Sequence, residues 1–452
     1  MKTKLRFMFV GAAMFVIIVS YKILEPELFR SEEVSFAGDK EPFESDIEGR
    51  QTPAIDIKDH HRNRFYVGEG NVNQPANQPA QNSSTIEVIK AMINRFTPHY
   101  SALLSESPWE VASQWVQSRQ IHPSNAQELG AILRAMSHGE ITAADFGFKG
   151  TQLKLTLMID GKQQVAFKPA WYPRDYVVTG PPYAGRDRHN AEIAAFHLGR
   201  VLELRRTPLT IGRRVDILKE IIPVASQKLL ATFYEREGES CFYGRCLYCK
   251  GPEDGVCAIN GILEGTMVLW LPHSFKMTLH KHPWSRTYRD TVKAKWEADT
   301  QYCENLKNSA VFRSGPRLLD IIDTCVFDYL IGNADRHHYE TFEGRNDSML
   351  IMLDNGKSFG NPTVDEMTIL APLYQCCQIR SSLWQRLLAL QDGVLSGVLA
   401  GILSTDPISP ILTDAHLKAL DRRLVTILGV VQKCISQVGI HVIVADTVSP
   451  SR

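Results

Sequence analysis

The stretch "GNADRHHYETF", residues 332–342, gathers two acids, an arginine and two histidines. Asp335 and Glu340 stand five residues apart with the basic groups between them. The apolar run "RLLDIIDTCVFDYLI" comes directly before, and its spacing predicts a helix that delivers the cluster to a surface. An acid placed there can take a proton from a hydroxyl, and a second oxygen ligand can balance charge on a phosphate or a cation. Fourteen residues beyond Glu340, "MLIMLDNGKSFG" presents Asp354 at the end of another apolar run. Upstream, "VAFKP" sets Lys168 on a predicted strand that can aim it into a cleft.

Lysine, acid, oxygen ligand and final acid follow one another in the order of the protein-kinase motifs. There the strand lysine binds phosphates, the catalytic-loop Asp takes the hydroxyl proton and a later Asp holds metal. Glu340 stands where the usual Asn would be, and Asp354-Asn355-Gly356 replaces D-F-G. A solvated strand lysine and a capped helix end explain each piece alone, but not the ordered set. Asp187 and Glu192, at the start of the next predicted helix, are the acids available to steady Lys168. A literal "DFG" at 145–147 precedes Lys168 and reads as a turn entering the first strand. A full G-x-G-x-x-G is absent, so other groups must cover the phosphates. His337 and His338 are adjacent, without the spacing of a zinc site, and read as hydrogen-bonding groups of the loop.

The elements that must position these residues can be followed along the chain. "STIEVIKAMINRF", "SPWEVASQWVQSRQI" and "NAQELGAILRAM" predict helices ahead of the lysine. "TQLKLTLMIDGKQQVAFKPA" alternates around "DGK" and predicts a hairpin. "RHNAEIAAFHLGRVLEL" predicts an amphipathic helix through Ile193, Phe196, Leu198 and Val201. "GTMVLWLP" is a short strand or hinge, and the chain beyond about residue 284 reads as mostly helical. Two lobes about a hinge place a site in the cleft between them.

The chain has 452 residues, enough for a sizeable core, and its 50 basic and 50 acidic residues cancel. No global field attracts nucleic acid or anionic lipid, so an anionic ligand needs a local site. Lys2, Lys4 and Arg6 precede the apolar run "FMFVGAAMFVIIVSY", which predicts an uncleaved signal anchor over 1–24; a cleaved signal is the alternative. Residues 25–84 are rich in charge, Gln, Asn and Pro and predict a flexible stalk. A helical preface and N-lobe follow over 85–271, a C-lobe over 272–440 and a tail over 441–452.

Nine cysteines fit a secretory route. "CFYGRCLYCKGPEDGVC" could bind zinc, but an oxidising lumen favours disulfides, with eight cysteines paired and Cys325 left over. Asn82 and Asn346 head glycosylation triplets.

The segments "RHNAEIAAFHL", "CFYGRC", "DYLIGNADRHHYETF", "LDNGKSFG", "ILAPLYQCC" and "DPISP" together resemble the secretory-pathway kinases. That family includes the Golgi casein kinase and the glycosaminoglycan xylosylkinases, and the wording around Asp335 and Asp354 is nearest the xylosylkinase branch. The likeness runs from about Phe146 to Gly439. It implies an α+β, atypical protein-kinase-like fold with a small β-rich N-lobe, helical preface and mostly helical C-lobe. It implies ATP and Mn2+ (or Mg2+) as cofactors, with Gln152, Lys168 and Glu340 at the nucleotide and Val268, Leu269, Trp270 and Leu271 as the adenine-facing hinge. Asp335 would be the base, and Asp187 and Asp354 metal ligands that also face the nucleotide; Asp187 replaces the Glu of the casein-kinase branch. The implied disulfides are Cys241–Cys257, Cys246–Cys249, Cys303–Cys376 and Cys377–Cys434. The implied reaction is phosphorylation of the 2-hydroxyl of xylose in the galactosyl-xylose linkage glycan of proteoglycans. The enzyme would be anchored by its N-terminus in the Golgi lumen as a type II membrane protein, with a dimer left open. A serine kinase of acidic sites and a pseudokinase activator are the alternatives. Trp284 and Tyr288 offer flat faces to a sugar, whereas Lys281, Arg286 and Arg289 would suit an acidic peptide.

Overall fold

The computed structural model describes residues 83–446 apart from 102, 103, 148, 149, 250, 290 and 445. The expected anchor, Asn82 and nearly all of the stalk lie outside the described residues. Among the described residues no single helix is long and apolar enough to cross a membrane.

Three helices form the preface: α1 (Ser83–Phe96), α2 (Pro108–Trp115) and α3 (Leu129–His138). Helix α2 is shorter than its apolar pattern predicts. Val116 turns to an extended conformation, and Gln117 and Gln120 then close a tight turn on each other.

The N-lobe is a five-stranded antiparallel sheet in the order β1-β2-β3-β8-β4. Its strands are β1 (Ile141–Phe146), β2 (Leu155–Ile159), β3 (Gln163–Pro169), β4 (Thr210–Asp216) and β8 (Ile262–Leu269). Asp145 and Phe146 end β1 rather than forming only a turn, a correction to the expectation for "DFG". The β2–β3 hairpin is as expected: Asp160 and Gly161 take left-handed φ values of 53° and 66°, which a tight hairpin requires. Between β4 and β8, β5 (Phe233–Arg236), β6 (Glu239–Phe242) and β7 (Val256–Cys257) make a separate three-stranded sheet.

Side-chain alternation divides the large sheet. Leu155, Leu157, Val165, Phe167, Met267 and Leu269 pack with Ile132, Leu133 and Met136 of α3 in one core. The other face carries Lys168, paired in register with Thr266, toward helix α4 (His189–Val201). Thr266 Oγ1 donates to the His189 carbonyl at 2.6 Å. Helix α4 is not amphipathic: every residue except Arg200 is buried, because the sheet covers one side and the C-lobe the other.

The C-lobe holds α5 (Arg317–Ile331), α6 (Ser381–Ala389), α7 (Val394–Leu403) and α8 (Asp414–Val438), with β9 (Met277–Lys281) paired to β10 (His338–Phe342). Fourteen of the fifteen residues of α5 are buried. Gly332 ends this helix at φ 70°, where a Cβ would be disfavoured, and its N–H returns to the carbonyls of Asp328 and Tyr329. Two acids in α5 are matched in place: Asp320 by Arg119, Arg206 and Arg380, and Asp323 by Arg206 and Arg380. Cys241–Cys257, Cys246–Cys249, Cys303–Cys376 and Cys377–Cys434 are disulfides, and Cys325 is a buried thiol.

Candidate active site

Lys168 is where the lobes meet. Its Nζ donates to Glu192 Oε1 at 2.6 Å, Asp354 Oδ1 at 2.7 Å and Asp187 Oδ2 at 3.3 Å. Strand β3 supplies the lysine, the entry and first turn of α4 supply Asp187 and Glu192, and the segment after β10 supplies Asp354. Burial works against the Lys168 charge, but the three carboxylates outweigh it and hold the ammonium well above its ordinary range. The same ammonium pulls Asp354 well below the usual carboxylate range. Asp187 moves upward, because burial and the other carboxylates overcome the pull of Lys168.

Local backbone brings the acids this close. Asp354 sits at φ 55°, and Gly356 lies against Asp187: a Cβ there would fall 2.6 Å from the carboxyl carbon. Asn355 donates through its backbone N–H to Glu192 Oε1 at 3.0 Å, and its side chain accepts from Arg336 at 2.8 Å. Arg336 also clasps both oxygens of Asp328 in α5, at 2.6 and 2.8 Å, and the Leu353 carbonyl at 2.6 Å. Arg336 is thus a positioning residue that fixes the Asp335 loop to the segment carrying Asp354.

Asp335 lies at the rim of this cluster. Its backbone N–H donates to Asn333 Oδ1 at 3.1 Å, and its carboxylate accepts from the Tyr288 hydroxyl at 2.5 Å. Two cations unremarked in the sequence border the site. Lys357 donates to the Gly185 carbonyl and feels Asp187, Asp335 and Asp354, although burial lowers its pKa overall. Lys154, just before β2, is likewise lowered by burial against the attraction of Asp354. Their roles arise from folding, and no motif spacing marks them.

Asp187 and Asp354 converge on one ammonium, and three carboxylates surround that single cation. Such a set of hard oxygens suits Mn2+ or Mg2+. Among the described residues no group of three or more His, Cys, Asp or Glu is arranged as a metal cage. Two carboxylates fit the mode in which a cation takes its remaining ligands from phosphate and water.

Residues 107–442 match the family model "Golgi casein kinase, C-terminal, Fam20". The chain belongs to the Fam20 family. It is 53% identical over 346 residues to the human glycosaminoglycan xylosylkinase, spanning 76% of this chain and 84% of that protein. The structure of hydra Fam20 with sugar superposes with a TM-score of 0.74 at 47% identity, covering 76% of this chain and all of that one. The Golgi casein kinase with Mn/ADP bound gives 0.73 at 29% identity, covering 84% and 96%.

Lys168 contacts Asp187, Glu192 and Asp354; the first two are the acids expected to steady it, and the contact with Asp354 was not anticipated. Glu192 is a closer partner of Lys168 than Asp187 is. Glu340 lies half-buried on β10, where burial raises its carboxyl against the pull of Arg336. Val268 and Leu269 finish β8, and Trp270 and Leu271 continue beyond it. Gln152 is half-buried on the bend before β2, with no hydrogen bond to the Lys168 cluster among the described residues. Asn346 is exposed in the turn after β10. Two expectations about the acceptor side change. Trp284 is 6% exposed and spends its indole N–H on Gln375, so it offers no face to a sugar. Arg286 is bound to the Ala334 carbonyl and the Thr368 hydroxyl, which removes it from any open basic pocket.

Proposed function

We propose that this chain is a glycosaminoglycan xylosylkinase, transferring the γ-phosphoryl group of ATP to the 2-hydroxyl of xylose in the galactosyl-xylose linkage region. The observation that carries the reading is the junction of Lys168, Asp187, Glu192 and Asp354 beside Asp335, in a chain so similar to a named xylosylkinase and to a sugar-bound Fam20. Asp335 accepts the proton as the hydroxyl oxygen bonds to the γ-phosphorus and the bond to the departing ADP breaks. Lys168, oriented by Glu192, binds phosphate oxygens. Asp187 and Asp354 would hold Mn2+ or Mg2+, which when bound neutralises charge on the triphosphate. Glu340 and Gln152 border the nucleotide, and Val268–Leu271 faces the adenine.

The protein acts in the Golgi lumen, held by residues 1–24 as a type II anchor, with release after cleavage as the alternative. The test is incubation of the protein with labelled ATP and Mn2+ and either a galactosyl-xyloside or casein. Label on the xylose alone is expected. Robust casein phosphorylation with an inert disaccharide would promote the serine-kinase alternative, and inertness toward both would leave the role of a pseudokinase activator.

A further inference from the structure

Tyr288 stands on the carboxylate of Asp335, the residue proposed as the base. Its hydroxyl donates to Asp335 Oδ1 at 2.5 Å and lies 3.0 Å from His337 Nδ1. The residue sits at φ 56°, a left-handed conformation that a bulky side chain adopts only when its surroundings hold it. Those surroundings are visible. Tyr183 packs edge-on against the ring with centroids 4.6 Å apart, and His337 does so at 5.7 Å. Two residues earlier, Arg286 ties the segment to the Ala334 carbonyl beside Asp335. The tyrosine is nevertheless 39% exposed, so its ring borders solvent, from which an acceptor arrives. Burial, then the hydrogen bond to Asp335, pushes the phenol well above its ordinary pKa, and it stays a protonated donor.

A base that takes a proton from a sugar hydroxyl must first accept a hydrogen bond from it. Here another hydroxyl already fills one such place on the carboxylate. We propose that Tyr288 is a latch: its hydroxyl stands in for the acceptor hydroxyl on Asp335 until a sugar displaces it, and so keeps water from using the base. This rests on Asp335 being the base. Without the latch, water attacks the γ-phosphorus: its oxygen bonds to phosphorus as the bond to ADP breaks. The water proton passes to Asp335 and on to solvent, giving ADP and phosphate.

The experiment compares full-length wild type with Tyr288→Phe, which removes one oxygen and keeps the ring. With Mn2+ and ATP but no acceptor, the variant should release phosphate about tenfold faster, the scale of a hydrogen bond to a charged group. With galactosyl-xyloside, its KM for the sugar should fall at least about threefold, since the sugar no longer competes with the phenol. Unchanged hydrolysis would overturn the latch, and a raised KM would make Tyr288 a sugar contact instead. Tyr183→Leu loosens the ring without touching Asp335 and should move both readouts the same way by less. If Tyr288→Phe fails to fold, unmoved readouts in Tyr183→Leu overturn the proposal. Wild type inert toward the glycan would sink the functional reading, while the acceptor-free comparison still decides the latch.

Discussion

Two clusters of buried charge join distant parts of this chain, and they are built differently. In the first, three carboxylates surround Lys168, and one of them, Asp354, keeps 71% of its side chain exposed. In the second, Asp320 and Asp323 are 0% and 1% exposed, held by Arg206 and Arg380, with Arg119 adding a third guanidinium to Asp320. In the first, a carboxylate that contacts the lysine also faces an opening; in the second, both carboxylates are buried against guanidinium groups. Density of ionised groups therefore does not mark a site. Exposure at an opening does, because only a charge that remains accessible has interaction left for a ligand.

Substitutions can break this contrast. The largest effect is expected from Asp354→Ala, which should abolish Mn2+-dependent ATP binding in a calorimetric titration. Retained metal-dependent affinity would make the open cluster merely structural. Asp320→Ala should act on the other axis, costing about 3–5 kcal/mol in urea unfolding by stranding buried guanidinium charge. Turnover per folded molecule should persist; a catalytic defect at full stability would erase the distinction. Asp335→Asn should cut turnover at least about a hundredfold with unchanged melting, the range for loss of a general base.

The smallest effect concerns His337. Its hydrogen bonding to Asp335, ahead of opposing burial, raises its pKa. The protonated ring therefore adds stability in full below about pH 6.5, its unfolded value, and loses it as pH rises through the higher folded value. The ring is 46% exposed, so solvent limits the gain to under about 1 kcal/mol. The difference in urea midpoint between wild type and His337→Gln should be largest near pH 6 and vanish in alkali. A pH-independent difference would assign it to packing.

How far the sequence could be read follows the same division. Lys168, Asp335 and Asp354 could be singled out because kinase chemistry needs those types in that order, and the fold does bring Lys168 and Asp354 together; the hairpin could be read because "DGK" leaves few other turns. The disulfide partners came only with the family resemblance, since spacing alone permits many pairings. Arg336, Asn355, Lys154 and Lys357 were not legible: each works through a partner from a separate segment of chain. Trp284 was misread because an aromatic beside the cleft can face inward: it joins the C-lobe core, and its indole N–H meets Gln375, 91 residues away. Helix α4 was misread as amphipathic because polar residues such as His189, Asn190 and Glu192 signal solvent in a sequence, whereas here they meet buried partners.

Cys376 and Cys377 are neighbours bonded in opposite directions along the chain, to Cys303 and to Cys434. Covalently, residues 303–434 are therefore two consecutive rings joined at one peptide bond. Asp335, Glu340 and Asp354 all belong to the first ring. A protease that cuts once anywhere in that ring opens it without releasing a fragment, and the acids stay tethered to the rest of the molecule. A single nick there is then a covalently local break, whereas reduction of Cys303–Cys376 turns the same nick into a severed chain.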